Sequence, residues 1–324
     1  MQANLLNLID PELRDIAVQM EPMLAQFSPM TAEKLETWRS LMESNASPPL
    51  ENIDVQRRII PSSAGAPDVP VYVVNAKPGQ SRPGILHLHG GGFTAGSAGA
   101  SLRNVQQIAE TLNCVAVSVD YRLAPEAPWP ASLEDNYAAL CWVCDHAGEI
   151  GIDPSRIAVI GESAGAGHAV LLCAAARKRA GPAILFQALS YPMLDDRTGS
   201  TRLAPDHIGV IGWNADFNQF GWRSYLGREP GGDDVPEGAV PARLVDLTGM
   251  PPTFIGVGAL DLFVEEDIEF ARRLVVTGVP VEFLLVPGAF HGFDTVAPET
   301  VIARKFADAR IAALRRAFAE ADRR

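Results

Sequence analysis

The chain has 324 residues, 47% hydrophobic and 20% charged, with a formal net charge of −12 at pH 7. Those proportions suit a soluble globular protein long enough for one large α/β domain or two smaller ones. The acidic balance, with a pI near 5.0, argues against nucleic-acid partners and against docking on an anionic membrane. No apolar run reaches the ~20 residues of a membrane span. Asp10, Glu12 and Asp15 stand where a signal peptide needs a basic start and an apolar centre, so a cytoplasmic location is expected. Cys114, Cys141, Cys144 and Cys173 all lie in apolar segments and read as free thiols. Cys141 and Cys144 have redox-motif spacing, but inside a predicted helix rather than at its start, where thiolates are stabilised. No second pair exists to complete a zinc site.

Residues 1–50 read as a helical piece. Asp10-Pro11 supplies a capping residue and a first-turn proline, and Leu13, Ile16, Ala17 and Met20 form one stripe. Thr31 opens a second helix with Leu35, Trp38 and Met42 on one face, and Ser47-Pro48-Pro49 ends it. Val55–Pro61 and Val69–Asn75 predict an antiparallel hairpin. From Gly84 the period lengthens. Strands are predicted at Gly84–Leu88, Cys114–Asp120, Ile157–Ile160 and Ala183–Leu189, with helices at Ser101–Leu112, Ser132–His146 and Ala164–Ala180 between them. That alternation implies a mostly parallel sheet with helices on both faces. The rhythm breaks between Met193 and Asp246, where Trp213, Phe217, Phe220, Trp222 and Tyr225 gather, the first three at helical spacing. An insertion of that length reads as a lid or cap, or as an extra packing layer. Strands resume at Thr253–Val257 and Val281–Val286. The helix between them is expected to bury Val264, Ile268, Ala271 and Val275, and a last helix from about Glu299 to bury Ile302, Phe306, Ala309 and Ala313.

The chemistry centres on Gly161-Glu162-Ser163-Ala164-Gly165, which joins the strand ending at Ile160 to an Ala-rich helix. A Gly-x-Ser-x-Gly at such a junction forces the serine into a cramped backbone conformation and lifts its hydroxyl above the sheet. A serine hydroxyl needs a base within hydrogen-bond reach and a carboxylate to orient that base. Partners are expected just after strands downstream of Ser163. Asp261 follows the strand Thr253–Val257, and His291 follows the strand Val281–Val286. Glu265, Glu266 and Asp267 lie further into the next helix, and Asp261 also reads as a helix N-cap. His146, His168 and His207 read as structural or solvent-exposed. His89-Gly90-Gly91-Gly92 directly follows a strand, and glycines let backbone amides approach a developing oxyanion. A phosphate-binding loop would need a following Lys-Ser/Thr, which is missing here.

With these residues assembled, the chain resembles the bacterial hormone-sensitive-lipase-like carboxylesterases over roughly residues 55–320. The resemblance rests on His89-Gly-Gly-Gly92, Tyr121-Arg-Leu-Ala-Pro-Glu126, Asp153-Pro-Ser-Arg156, Gly161-Glu-Ser-Ala-Gly165, Asp261 and His291-Gly-Phe293. It implies an α/β-hydrolase fold with an eight-stranded, mostly parallel sheet. It further implies a core of residues 51–192 and 246–324 under a helical cap built from 1–50 and 193–245. It implies that Ser163, Asp261 and His291 are catalytic, that the amides of Gly91, Gly92 and Ala164 form an oxyanion hole, and that His89 holds the glycine loop in shape. Tyr121–Glu126 is expected to brace the active-site loops. The expected reaction is hydrolysis of a small-molecule ester with no metal or organic cofactor, and family members often pair through the last strand and its helix. Two departures stand out: Glu162 where Asp or Thr is usual, and Leu-Phe-Val-Glu-Glu after Asp261 where many members have Pro-Leu-Arg-Asp-Glu. The cap aromatics Trp213, Phe217, Phe220 and Trp222 suggest a closed pocket for short to medium acyl chains. The same constellation also serves amide, thioester or lactone bonds. Non-hydrolysing binders of this family have lost the histidine, whereas His291 is present.

Overall fold

The computed structural model describes residues 3–62, 65–321 and 323. Its centre is an eight-stranded sheet of β1 (Val55–Ile60), β2 (Val69–Val74), β3 (Arg82–Leu88), β4 (Val115–Val119), β5 (Ile152–Glu162), β6 (Phe186–Ser190), β7 (Thr253–Gly258) and β8 (Val281–Val286), in the order β1-β2-β4-β3-β5-β6-β7-β8. β1 and β2 pair antiparallel, β2 is antiparallel to β4, and every pairing from β4 through β8 is parallel. The described helices are α1 (Ala3–Leu8), α2 (Arg14–Phe27), α3 (Ala32–Ser44), α4 (Leu102–Thr111), α5 (Ala131–Asp145), α6 (Ala147–Ile150), α7 (Ala164–Lys178), α8 (Ala215–Leu226), α9 (Val264–Val276), α10 (Phe293–Val296) and α11 (Val301–Ala321).

Alternation along the strands divides the core. Leu86, Leu88, Val117, Ile157 and Val159 point to one face, where α5, α7 and α9 bring Leu140, Val170 and Phe270. Ile85, Ala116, Ala158 and Ile160 point to the other, where α4 and α11 bring Val105, Leu314 and Phe318. Strands buried on both faces must be apolar throughout, and this is why they read as continuous runs rather than as alternating ones. Cys114 and Cys173 are buried and Cys141 and Cys144 half-buried, all as free thiols. Burial pushes the Cys114 thiol up to about 12 and Cys144 up to about 11. Among the described residues no helix is long and apolar enough to cross a membrane.

Two expectations need correction. Ile268 and Val275 on α9 are exposed, and its buried face instead carries Glu266, Asp267, Phe270, Ala271 and Leu274. Sequence periodicity weighs apolar residues, so a helix that buries two carboxyl groups is read with its faces rotated. Trp213 precedes α8 rather than lying in it. Asn214 is the N-cap, and its side chain accepts the Phe217 N–H at 3.0 Å.

The amino-terminal helices lie against the inserted segment. Phe27 and Trp38 meet edge-to-face at 5.1 Å, as do Trp38 and Phe217. Ser28 also donates to the Asp216 carboxylate. Ile9, Leu13 and Ala17 pack into one cluster with Phe290, Phe293 and Phe306, and the Asp10 N–H donates to Gly288 O at 3.0 Å. Both contacts bring the amino-terminal segment against the loop after β8.

Candidate active site

Ser163 sits between β5 and α7 with φ 55° and ψ −121°, a conformation that L-residues avoid. The surroundings enforce it. A Cβ on Gly161 would come within 2.5 Å of the Gly165 carbonyl carbon, and one on Gly165 within 2.0 Å of Leu88 O. Only glycine therefore lets α7 close onto β3 and β5 here. The Ser163 N–H donates to Ser190 O at 2.9 Å, and its carbonyl accepts from Gly167 and Met193.

The structure brings Ser163, His291 and Asp261 into a hydrogen-bonded line. His291 Nε2 lies 3.0 Å from Ser163 Oγ, and His291 Nδ1 lies 2.8 Å from Asp261 Oδ2. Asp261 is fully buried, and its other oxygen accepts the Phe263 N–H at 3.0 Å. The N-cap reading of this aspartate does not hold, because α9 takes Phe263 as its N-cap and has no side-chain cap hydrogen bond. An ionised carboxylate only accepts, so Nδ1 carries the proton and Nε2 presents its lone pair to the hydroxyl. Tyr191 and Phe263 stand edge-on to the imidazole at 4.8 and 5.1 Å. Tyr191 is itself tied down by donating to Asp294 Oδ1 at 2.8 Å. None of the alternative carboxylates bonds to His291. Glu265 is exposed, and Glu266 turns away to accept the N–H groups of Leu194 and Asp195 at 2.6 and 3.2 Å. Asp267 is fully buried, and burial holds its carboxyl well above the usual range.

Gly91 (φ 126°) and Gly92 (φ 60°) carry the loop after β3 past the serine. Gly91 O accepts the N–H groups of Thr94 and Ala95 at 3.2 and 2.9 Å, which folds the loop back on itself. Among the described residues, the amides of Gly91, Gly92 and Ala164 donate to no protein acceptor. His89 is buried and pushed down to about 4 by burial, hence neutral at physiological pH. It donates through Nδ1 to Gly90 O at 2.8 Å and stacks on Tyr121 at 4.1 Å, while the Tyr121 hydroxyl donates to His89 O at 2.5 Å. Arg39 of α3 donates to Thr94 O and Ala124 O and pairs with both oxygens of Glu126. His168 is fully buried, His207 is exposed, and His146 caps α5. No group of three or more His, Cys, Asp or Glu placed to hold a metal occurs among the described residues.

Sequence reasoning missed two supports of this site, the partners of Glu162 and a buried asparagine. Glu162 Oε1 accepts from Arg310 at 2.9 Å, and Glu162 Oε2 lies 3.0 Å from His87 Nε2. Arg310 sits on the Phe306–Ala313 stripe of α11, so an arginine inside an apolar stripe was the available signal. The other is Asn218. It accepts the Trp213 Nε1–H at 3.2 Å and donates to Thr198 O at 2.7 Å, fully buried.

The sheet order and the strained serine turn define an α/β hydrolase. A family model described as alpha/beta hydrolase fold matches residues 85–295. Carboxylesterase NlhH of Mycobacterium tuberculosis is 32% identical over 330 residues, covering 96% of each chain. Esterase LipI of the same organism is 33% identical over 279 residues, covering 86% of this chain and 85% of its own. Among solved structures, a bacterial heroin esterase superposes with a TM-score of 0.84 at 33% identity, over 97% of this chain and 99% of that one. The chain belongs to the hormone-sensitive-lipase-like carboxylesterases of the α/β-hydrolase superfamily.

Proposed function

We propose that the protein is a carboxylesterase in which Ser163 is the nucleophile, His291 the base and Asp261 the group that orients and charge-balances the imidazole. The observation that carries the reading is the unbroken line from Ser163 Oγ through His291 to Asp261, at 3.0 and 2.8 Å. Ser163 Oγ attacks the ester carbonyl carbon while its proton passes to His291 Nε2. The amides of Gly91, Gly92 and Ala164 receive the developing oxyanion, a role favoured by their lack of another acceptor. Each such donor is worth about 3 kcal/mol in the transition state. The imidazolium returns its proton to the leaving alcohol, and the acyl group stays on Ser163. Water then gives a proton to the same nitrogen and attacks the acyl carbon, releasing the acid and restoring the hydroxyl.

Residues 1–50 and 193–245 act together as the cap in this reading. The contacts of Phe27, Trp38 and Phe217 and the closeness of Trp213 to the glycine loop support it. The cap's aromatic lining favours short to medium acyl chains. The enzyme works in the cytoplasm as a homodimer joined through β8, one of the two edge strands of the sheet, and α11. An edge strand with Leu285 exposed supports that pairing, and a solution mass of one chain would remove it. Ser163→Ala is the test of the chemistry. It is expected to lower kcat on p-nitrophenyl butyrate by about 10⁴ or more with an unchanged fold. Retention of most of the turnover would end the proposal.

A further inference from the structure

Trp213 stands over the reacting groups. A methyl group placed on Gly92 would lie 2.2 Å from Cη2 and 2.5 Å from Cζ2 of its indole, so the six-membered edge rests directly on that glycine. The indole centre is 6.2 Å from the His291 imidazole. The preceding Gly212 packs so tightly on the His291 backbone that a Cβ there would sit 2.2 Å from His291 O. The ring is not free to swing. Its N–H is held by buried Asn218, and Phe217 leans on it at 5.4 Å.

The reaction gives this placement a direction. In the tetrahedral intermediate the oxyanion faces Gly91, Gly92 and Ala164. The leaving oxygen must lie within reach of His291 Nε2 to take its proton. A ring that rests on Gly92 and flanks His291 borders the space between those two oxygens, where the first carbons of the alcohol run. We infer that Trp213 is the specificity-determining residue for the alcohol half of the ester, admitting small or flat alcohols and rejecting long or branched ones. The inference rests on the esterase reading given above and adds the identity of the half that is restricted.

The test uses two ester series and three proteins: the unmodified chain, Trp213→Ala and Trp213→Phe. One series is acetates of methanol through octanol, the other methyl esters of acetate through octanoate, each read as kcat/KM. Trp213→Ala is expected to raise the ratio of octyl acetate to methyl acetate about tenfold or more, since each methylene admitted to or shut out of an apolar site is worth about tenfold. The ratio of methyl octanoate to methyl acetate should stay within about threefold. Trp213→Phe, which keeps a ring and loses the N–H anchor, should fall between, and it carries the test if the alanine variant does not fold. An unchanged alcohol ratio in a folded variant overturns the inference, and so does a shift confined to the acyl series. If the unmodified chain hydrolyses neither series, the esterase reading falls and takes this inference with it.

Discussion

Glu162→Gln is expected to cost about 3 kcal/mol of folding stability at pH 7. The side chain is nearly buried, and its carboxylate is clamped between His87 and Arg310, at 0% and 3% side-chain exposure. Burial by itself would push the carboxyl up from its ordinary 4.5, but the charges and hydrogen bonds of His87 and Arg310 outweigh it and hold the group at about 2. At about 1.4 kcal/mol per tenfold change in proton affinity, that difference contributes about 3 kcal/mol to the folded state. The sign follows from the depressed value. The contribution is complete above the unfolded value of 4.5, and it is lost as pH falls through about 2. At pH 3 about 1.4 kcal/mol remains. The amide removes the contribution at every pH and leaves Arg310 buried without its carboxylate, a change that costs about 3–5 kcal/mol in comparable pairs. The assay is urea unfolding at pH 7 and pH 3. With a slope of about 3 kcal/mol per molar, the variant's midpoint should fall about 1 M below the unmodified chain at pH 7, and by less than half of that at pH 3. A shift under about 0.3 M at pH 7, or one that does not shrink in acid, refutes the reasoning.

Two further substitutions follow from burial. His168 is enclosed by Phe93, Tyr121 and Tyr225, and burial pushes its imidazole down to about 3 from the ordinary 6.5. Below pH 6.5 the unfolded chain takes up a proton that the folded chain refuses, so this residue weakens the fold on acidification, by about 3 kcal/mol at pH 4. His168→Leu should therefore lose less of its urea midpoint between pH 7 and pH 4 than the unmodified chain, and an equal loss would contradict the reading. Gly165→Ala drives a methyl group to within 2.0 Å of Leu88 O and 2.4 Å of His89 O, backbone atoms that cannot move aside alone. It should lose about 2–3 kcal/mol of stability and much of its turnover on p-nitrophenyl butyrate. Unchanged values of both would show that the turn is looser than these contacts imply.

Much of the architecture was legible because its causes are local. The strand-helix alternation from Gly84 onward follows from apolar runs and their punctuation. Strand and helix ends agree to within a few residues, apart from β5, which begins at Ile152 rather than Ile157. The serine turn is equally local: Gly161, Ser163 and Gly165 must lie within five residues for the backbone to turn so tightly. The places of Asp261 and His291 just past strand ends were legible too, because parallel strands deliver their carboxyl ends to one edge of the sheet.

What local pattern could not decide is who meets whom across the sheet. Glu162 precedes the nucleophile, but its partner Arg310 is 148 residues away on the last helix, and the pair exists only because β5 and α11 are packed together. The indole of Trp213 reads in the sequence as one more cap aromatic. Its position on Gly92, beside His291, is set by Asn218, Phe217 and the close approach of Gly212. On α9 periodicity selected Ile268 and Val275 for the interior, whereas the fold buried Glu266 and Asp267. Residue order determined the elements and the strained turn at Ser163, since a strand, a helix or a strained turn is stabilised by neighbours along the chain. Only the tertiary structure decided the partners of the buried charges and the place of the Trp213 indole, since those energies arise between segments that the sequence keeps far apart.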